Sequence, residues 1–278
     1  MADRPLVSIL ITSYNREKYI RECLDSVINQ SYANLEIIVS DNCSTDNTVA
    51  IVREYLGDCR IKLYQNASNI GQFPNRNMAA SYATGKYLKY VDSDDIIYPF
   101  GTEIMVNAME KFGSAGAGVF TNTTQDALPF PYLMQPEEAF RQYFFSGDAL
   151  GMGPSGVIFK TDVFNHYKGF TDHSISGDVF LLQSIALKYP IVKIGPPQFW
   201  WRRHEAQENE GAVNKYIVSL YKINNRILRD EAFPLSKNEK DRLLTGASRM
   251  MLKNVWKHNF KKFHFGRGIS VLRECLVK

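Results

Sequence analysis

No apolar run in this 278-residue chain approaches the roughly 18 to 20 residues that a membrane span needs. The opening Met1-Ala2-Asp3-Arg4-Pro5 has neither the apolar stretch nor the small-residue cleavage site of a signal peptide, so a cytoplasmic location is expected. Cysteine is scarce. Cys23, Cys43, Cys59 and Cys275 lie far apart with no Cys-x-x-Cys and no interleaved histidine, which argues against a zinc knuckle and against a disulfide framework. Internal repeats and low-complexity linkers are also missing. A net charge of +4 is too small to indicate nucleic-acid binding, and its distribution matters more than its size. Met251 to Lys278 carry seven Lys/Arg against one Glu, a local +6, so the basic excess belongs to the tail.

What is present is a recurrence of apolar, β-branched runs with helical stretches between them, the pattern of a mostly parallel sheet with crossover helices. Strands are expected at Leu6 to Thr12, Leu35 to Ser40, Ile61 to Gln65 and Tyr87 to Val91. The intervening helices are expected over Arg16 to Asn29, from the Ser44-Thr45-Asp46-Asn47 cap through Tyr55, and from Pro74 to near Thr84-Gly85. Beyond Phe112 the pattern loosens. A strand near Ala117 to Thr121, a helix from Pro136 to about Phe145, a glycine-rich segment Gly151 to Gly156 before Val157 to Phe159, a helix from Gly177-Asp178 through Lys188 and a strand at Ile191 to Ile194 are expected. From Asn214 onward the chain reads as amphipathic helix.

In an open parallel sheet, ligands bind beyond the carboxyl ends of the strands. Polar residues gather there: Thr12, Tyr14 and Asn15 after the first strand, Asp41 and Asn42 after the second, Asn66 after the third, and Asp92 and Asp94 after the fourth. Any one of these positions could be turn chemistry, but four together point to a site. Asp92-Ser93-Asp94 suits a hard divalent cation, Mg²⁺ or Mn²⁺, which prefers oxygen ligands and shares its shell with phosphates.

The order of these segments resembles glycosyltransferase family 2, the inverting enzymes with the GT-A fold. The resemblance is carried by Val7 to Arg16, Cys23-Leu24-Asp25-Ser26-Val27, Gln30-Ser31-Tyr32, Glu36 to Asp46, Asn69-Ile70-Gly71, Asn75-Arg76-Asn77 and Gly85-Lys86-Tyr87 leading into Asp92-Ser93-Asp94-Asp95, over roughly residues 5 to 100. It implies an α/β fold with a Rossmann-like central sheet, residues 1–210 forming the catalytic domain, 5–100 its nucleotide-sugar half and 101–210 its acceptor half, followed by a helical extension at 211–278. It implies that Thr12, Tyr14, Asn15, Asp41 and Ser93 hold the donor, Asp41 accepting a hydrogen bond from the base. Asp92 would approach the ribose or the cation, and Asp94 would ligate the cation directly. Arg76 would assist the diphosphate, its alternative being a solvent-facing helix residue.

The second half matches more loosely. Family members place a general base at the start of a helix, often as Glu-Asp after Gly; here the segment reads Ser176-Gly177-Asp178, with the first acid missing. Asp178 fits the surviving position, with a helix-capping Asp as the alternative. Trp201-Arg202-Arg203-His204-Glu205-Ala206-Gln207 resembles the family's late Arg/His motif, in which His204 would complete the metal shell. Trp200 and Trp201 suit either sugar stacking or buried packing. In the tail, Trp256, Phe260, Phe263 and Phe265 interleave with Lys253, Lys257, Lys261, Lys262 and Arg267, which suits either an anionic membrane face or docking on the catalytic domain. The expectation is transfer from a nucleotide sugar, a UDP-sugar by preference, to a glycan or lipid-linked acceptor in surface polysaccharide or glycoconjugate synthesis, with no nucleic-acid partner. Its rivals are a sugar-nucleotide nucleotidyltransferase, disfavoured because Thr12-Ser13-Tyr14-Asn15-Arg16 lacks a glycine-rich phosphate loop, and a silent nucleotide-sugar-binding protein.

Overall fold

The computed structural model describes residues 4–121, 126, 128–147, 149–196, 198–204 and 212–276. Strands and helices alternate through the first ninety residues: β1 (Val7–Ser13), α1 (Ile20–Ile28), β2 (Leu35–Asp41), α2 (Thr48–Glu54), β3 (Ile61–Gln65), α3 (Gln72–Ser81) and β4 (Tyr87–Asp92). β1 is parallel to both β2 and β4, and β2 to β3. All seven residues of β2 are buried, as a strand covered on both faces requires. Alternation sorts its side chains: Leu35, Ile37 and Val39 join α1, α2 and α4 (Gly101–Lys111) on one side, whereas Ile38 faces the other.

After β4 come β5 (Ile96–Ile97), α4, β6 (Ala117–Phe120), β7 (Tyr132–Met134), α5 (Pro136–Arg141), β8 (Val157–Lys160), α6 (Thr161–His166), α7 (Gly177–Ala186), β9 (Ile191–Ile194) and β10 (Phe199–Trp200). The main sheet runs β3-β2-β1-β4-β8-β6-β9-β7, so β8, antiparallel to β4 and β6, joins the two halves. A separate two-stranded ribbon pairs β10 with β5, Trp200 opposite Ile96. It carries residues 199–204 across to the acidic triplet.

Several boundaries differ from expectation. α1 starts at Ile20, because Asn15 is left-handed at φ +52° and Arg16 turns there, its N–H donating to the Thr48 hydroxyl. α3 ends at Ser81 rather than Thr84, and the helix from Pro136 becomes a π-helical turn over Gln142–Ser146. The short pieces β5, β7, β10 and α6, and the longer helix α4, are additions that the sequence pattern did not single out.

The C-terminal helices are α8 (Val213–Leu228), α9 (Lys237–His258) and α10 (Phe265–Leu276). Ile223, Ile227 and Leu228 of α8, with Phe233 and Leu235, share an apolar cluster with Phe180 and Ile185 of α7. The first part of the extension is therefore core of the catalytic body, whereas α9 and α10 add a small cluster of their own with Val218. The expected boundary at 210 falls among residues outside the described set.

Candidate active site

The ends of β1 and β2 are tied by their loops. Asp41 is fully buried, and its carboxylate accepts from the Ser13 hydroxyl at 3.1 Å, the Ser44 hydroxyl at 2.5 Å and the Ser44 N–H at 2.8 Å. Asn15 Oδ1 accepts from the Thr45 N–H at 2.9 Å. Asn15 and Cys43 both adopt positive φ, a backbone cost that these cross-loop bonds hold in place. Tyr14 stands exposed at the rim and Thr12 is partly open beside Asp92, its register partner. Asn42 Oδ1 accepts from the Ile70 N–H and from Asn66, extending the same edge to the loop after β3.

β4 delivers the acidic run into this edge. Asp94 Oδ2 lies 3.0 Å from His204 Nε2 and 3.1 Å from Arg16 Nε. The His204 ring packs on Tyr19 at a centroid distance of 4.6 Å. Asp92 turns elsewhere: its Oδ1 accepts from Arg76 Nη2 at 2.6 Å. Asp94 and His204 are thus brought together as expected, while Asp92 is separated from them by its partner. Among the described residues no cluster of three His, Cys, Asp or Glu side chains gathers as a ready-made metal cage. Ser93, expected among the donor contacts, is buried.

Arg76 is buried, which overturns its solvent-facing alternative. α3 presents it inward, Gln72 accepts from Nη1 at 2.9 Å, and its Nε has no protein partner. Its charge acts on Asp178 as well as on Asp92. Asp178 lies in the first turn of α7 with Oδ1 accepting from the Val179 N–H at 2.8 Å. Burial pushes its carboxyl up to about 6, a rise opposed by that N–H and by Arg76 and reinforced by Asp92. A carboxylate so placed is ionised near neutrality yet takes a proton more readily than an ordinary aspartate. A Cβ at Gly153 would stand 3.8 Å from Asp178 Oδ2, so glycine there leaves the approach to that oxygen open.

The missing acid at Gly177 has a steric cause. A Cβ at that position would sit 1.9 Å from the Asp172 carbonyl oxygen, so no larger residue fits while the preceding turn keeps its path.

Three contributors escaped the sequence reading. Lys89, fully buried in β4, donates to the carbonyls of Tyr90, at 2.8 Å, and Ser155. Burial lowers its pKa to about 7 against the pull of Asp92 and Asp95. Ser155 in turn accepts from the Asp92 N–H at 3.0 Å and bonds Asp95. Asp95 is buried, accepts from the Arg202 N–H at 3.1 Å, and has its carboxyl raised to about 7 by burial and by Asp92. The one available signal was a lysine within an otherwise apolar strand. Arg202 also donates to the Asp94 carbonyl at 2.9 Å and to Glu22 at 2.6 Å, and its guanidinium lies over Tyr19 and Trp200. Trp200 and Trp201 are exposed rather than packed in the core. Glu205, Ala206 and Gln207 of the late motif lie outside the described residues.

Comparison with known proteins bears on the family and the fold. The model of glycosyl transferase family 2 matches residues 8–167. An uncharacterized glycosyltransferase of Haemophilus influenzae is 42% identical over 112 residues, covering 40% of this chain and 35% of that protein. The Escherichia coli UDP-Glc:alpha-D-GlcNAc-diphosphoundecaprenol beta-1,3-glucosyltransferase WfgD is 42% identical over 109 residues, 39% of this chain and 43% of its own length. The matched stretch thus spans less than half of these relatives. Among solved structures, S. aureus TarS 1-349 in complex with UDP-GlcNAc superposes with a TM-score of 0.69 at 21% identity, covering 91% of this chain and 73% of that one. The mannosyltransferase PcManGT from Pyrobaculum calidifontis, in complex with GDP-Man and Mn2+, gives 0.67 at 19% identity over 98% of this chain and 75% of that one. At these identities the superpositions establish the shared GT-A fold, and the family model covers more than half of the sequence: the chain belongs to glycosyl transferase family 2.

Proposed function

We propose that this chain is a metal-dependent, inverting glycosyltransferase that moves a sugar from a UDP-sugar to a hydroxyl of a glycan or lipid-linked acceptor in surface polysaccharide or glycoconjugate synthesis. The observation that carries the reading is the pairing, on one sheet edge, of an Asp94–His204 contact with a partly buried Asp178 of raised pKa, Arg76 acting on both Asp92 and Asp178. UDP-GlcNAc in the TarS structure and the glucosyl donor in the WfgD name support a nucleotide-sugar ligand. GDP-Man with Mn2+ in PcManGT supports a divalent cation.

The donor set fits such an ion. Asp94 offers a hard carboxylate oxygen and His204 an imidazole 3.0 Å away, a combination better suited to Mn²⁺ than to Mg²⁺. When bound, the cation supplies charge neutralisation for the departing diphosphate. The chain's own groups do the rest. Asp178 takes the acceptor hydroxyl's proton as the oxygen forms its bond to the anomeric carbon, and the nucleoside diphosphate leaves with the bonding electron pair. Arg76 places a fixed positive charge beside this centre, acting on both Asp92 and Asp178. Asp41, Thr12, Tyr14 and Asn15 shape the nucleoside end. The cytoplasmic setting expected from the sequence belongs to this proposal.

The test is release of nucleoside diphosphate from a panel of nucleotide sugars with Mn²⁺, with and without acceptor. Asp94→Ala is expected to abolish metal-dependent donor binding, and Asp178→Asn to keep binding and lose transfer. Donor binding by the wild type with no turnover on any glycan extract would favour the silent binding protein. Full activity in Asp178→Asn would remove Asp178 as the base.

A further inference from the structure

α9 and α10 each have an inner and an outer face. The inner faces carry Met251, Val255, Val271 and Cys275, which pack with Val218 of α8. Docking on the catalytic body therefore accounts for these residues and for Phe260 and Leu272, which pack against them. It leaves Trp256, Phe263 and Phe265 exposed.

On the outer face of α9, Arg249, Leu252, Lys253, Trp256 and Lys257 recur at three- and four-residue spacing and form one stripe. Trp256 is 56% exposed and Leu252 lies open beside it. At the turn into α10, Phe263 is 81% exposed, held outward at φ +61°. Its ring centroid lies 6.3 Å from that of exposed Phe265, which lies 5.9 Å from Phe260. Lys261 Nζ sits 6.0 Å from the Trp256 ring, so the aromatic and basic groups form one patch at the hairpin tip. Ile269 and Leu276 continue the open apolar stripe along α10. Seven Lys/Arg occur from Arg249 to Arg273, with no Asp or Glu among them.

We propose that this tip docks on an anionic phospholipid bilayer, the lysines and arginines meeting headgroups while Trp256, Phe263 and Phe265 enter the interface. Rings and aliphatic side chains left in water without a partner lose burial that an interface restores, and each basic group near an anionic leaflet adds attraction. Aliphatic Leu252, Ile269 and Leu276 contribute to insertion into hydrocarbon but not to stacking on bases, which favours lipid over nucleic acid. A second copy joined through a two-fold axis would set the same basic stripe against itself. Among the described residues no helix is long and apolar enough to cross a membrane. Such docking deepens the reading of a lipid-linked acceptor, but lipid binding itself does not depend on transferase activity.

The experiment is co-sedimentation of the full chain with phosphatidylcholine vesicles, with and without phosphatidylglycerol. Binding is expected only with the anionic lipid, weakening at least tenfold as salt is raised. Lys257→Glu, Lys261→Glu and Lys262→Glu together should weaken it at least a hundredfold, since roughly 1 kcal/mol per basic residue is lost and repulsion is added. Trp256→Ser, Phe263→Ser and Phe265→Ser together should weaken it at least tenfold and leave nucleoside diphosphate release with a soluble acceptor unchanged. Equal binding to neutral vesicles, or unchanged binding in both triple variants, overturns the proposal. So does a dimer in light scattering that the aromatic triple variant dissolves, or tighter binding to an oligonucleotide than to anionic vesicles at the same salt. Failure of the transfer assay with vesicle binding intact would refute the enzyme reading and leave this one standing.

Discussion

The edge proposed to hold the donor and the edge proposed to hold the acceptor and the cation are held together in different ways. On the donor edge, Asp41 meets Ser13 across 28 residues and Asn15 meets Thr45 across 30, each within one β-α-β unit and each backed by further bonds. On the acceptor and metal edge, Asp92 meets Ser155 across 63 residues and Asp94 meets His204 across 110, through a short ribbon and a glycine-rich turn. The first is a local frame; the second is assembled from segments far apart in the chain, with residues 202–204 bonded to Asp94 and Asp95 at three points. Substitutions on the donor edge should therefore act mainly on donor affinity, while those on the other edge should strike turnover, metal use or stability.

The sharpest challenge to that comparison is Asp178→Asn, expected to lower transfer about a thousandfold while leaving donor affinity within about twofold. Wild-type turnover should fall as pH drops through about 6, where Asp178 takes up a proton, and the variant should lose that limb. Because the folded carboxyl has a raised pKa, its ionisation weakens the fold as pH rises between the ordinary aspartate range and about 6. Above that window the variant should be as stable as wild type or more so, by up to about 2 kcal/mol after allowance for partial exposure, as denaturant unfolding would read. A donor affinity that collapses with turnover would merge the two edges. Next in size, Gly177→Ala should cost about 2 to 3 kcal/mol, because its Cβ must displace the Asp172 carbonyl. A neutral result would show that the turn before α7 yields freely.

A smaller effect is expected at Lys89→Met, which keeps the volume but removes the donor to Ser155 and should cost about 1 to 2 kcal/mol. Since the folded lysine's pKa is depressed to about 7, wild-type stability from this residue grows as pH rises from there towards its unfolded value. The gap between wild type and variant should widen over that range. A constant gap would assign Lys89 to packing alone. Smallest is His204→Gln, expected to raise the Mn²⁺ concentration for half-maximal activity about tenfold with less change in saturated turnover; no change would take His204 out of the metal shell.

The donor edge was legible because its information is local. A parallel strand buried on both faces must be apolar, its end must be polar, and the spacing of Thr12 and Asp41 follows from β-α-β length. The acceptor edge was legible only at residues whose chemistry is conspicuous, Asp178 and His204. Ser155 is one member of a glycine-rich segment, Asp95 the last residue of the acidic run, and Lys89 a charge within an apolar strand; none has a role until β8 lies against β4. Gly177 gave the opposite problem, an absence whose reason is a carbonyl five residues upstream.

By itself, then, the sequence determined the layered α/β body, the edge on which polar groups collect, and the acidic run at the end of β4, since these depend on periodicity and strand ends. Only the tertiary structure decided that Asp94 pairs with His204 while Asp92 pairs with Arg76, that α8 is core and that Trp256, Phe263 and Phe265 face outward. Those outcomes depend on side chains from distant segments competing for the same few ångströms, and no periodicity along the chain records who wins.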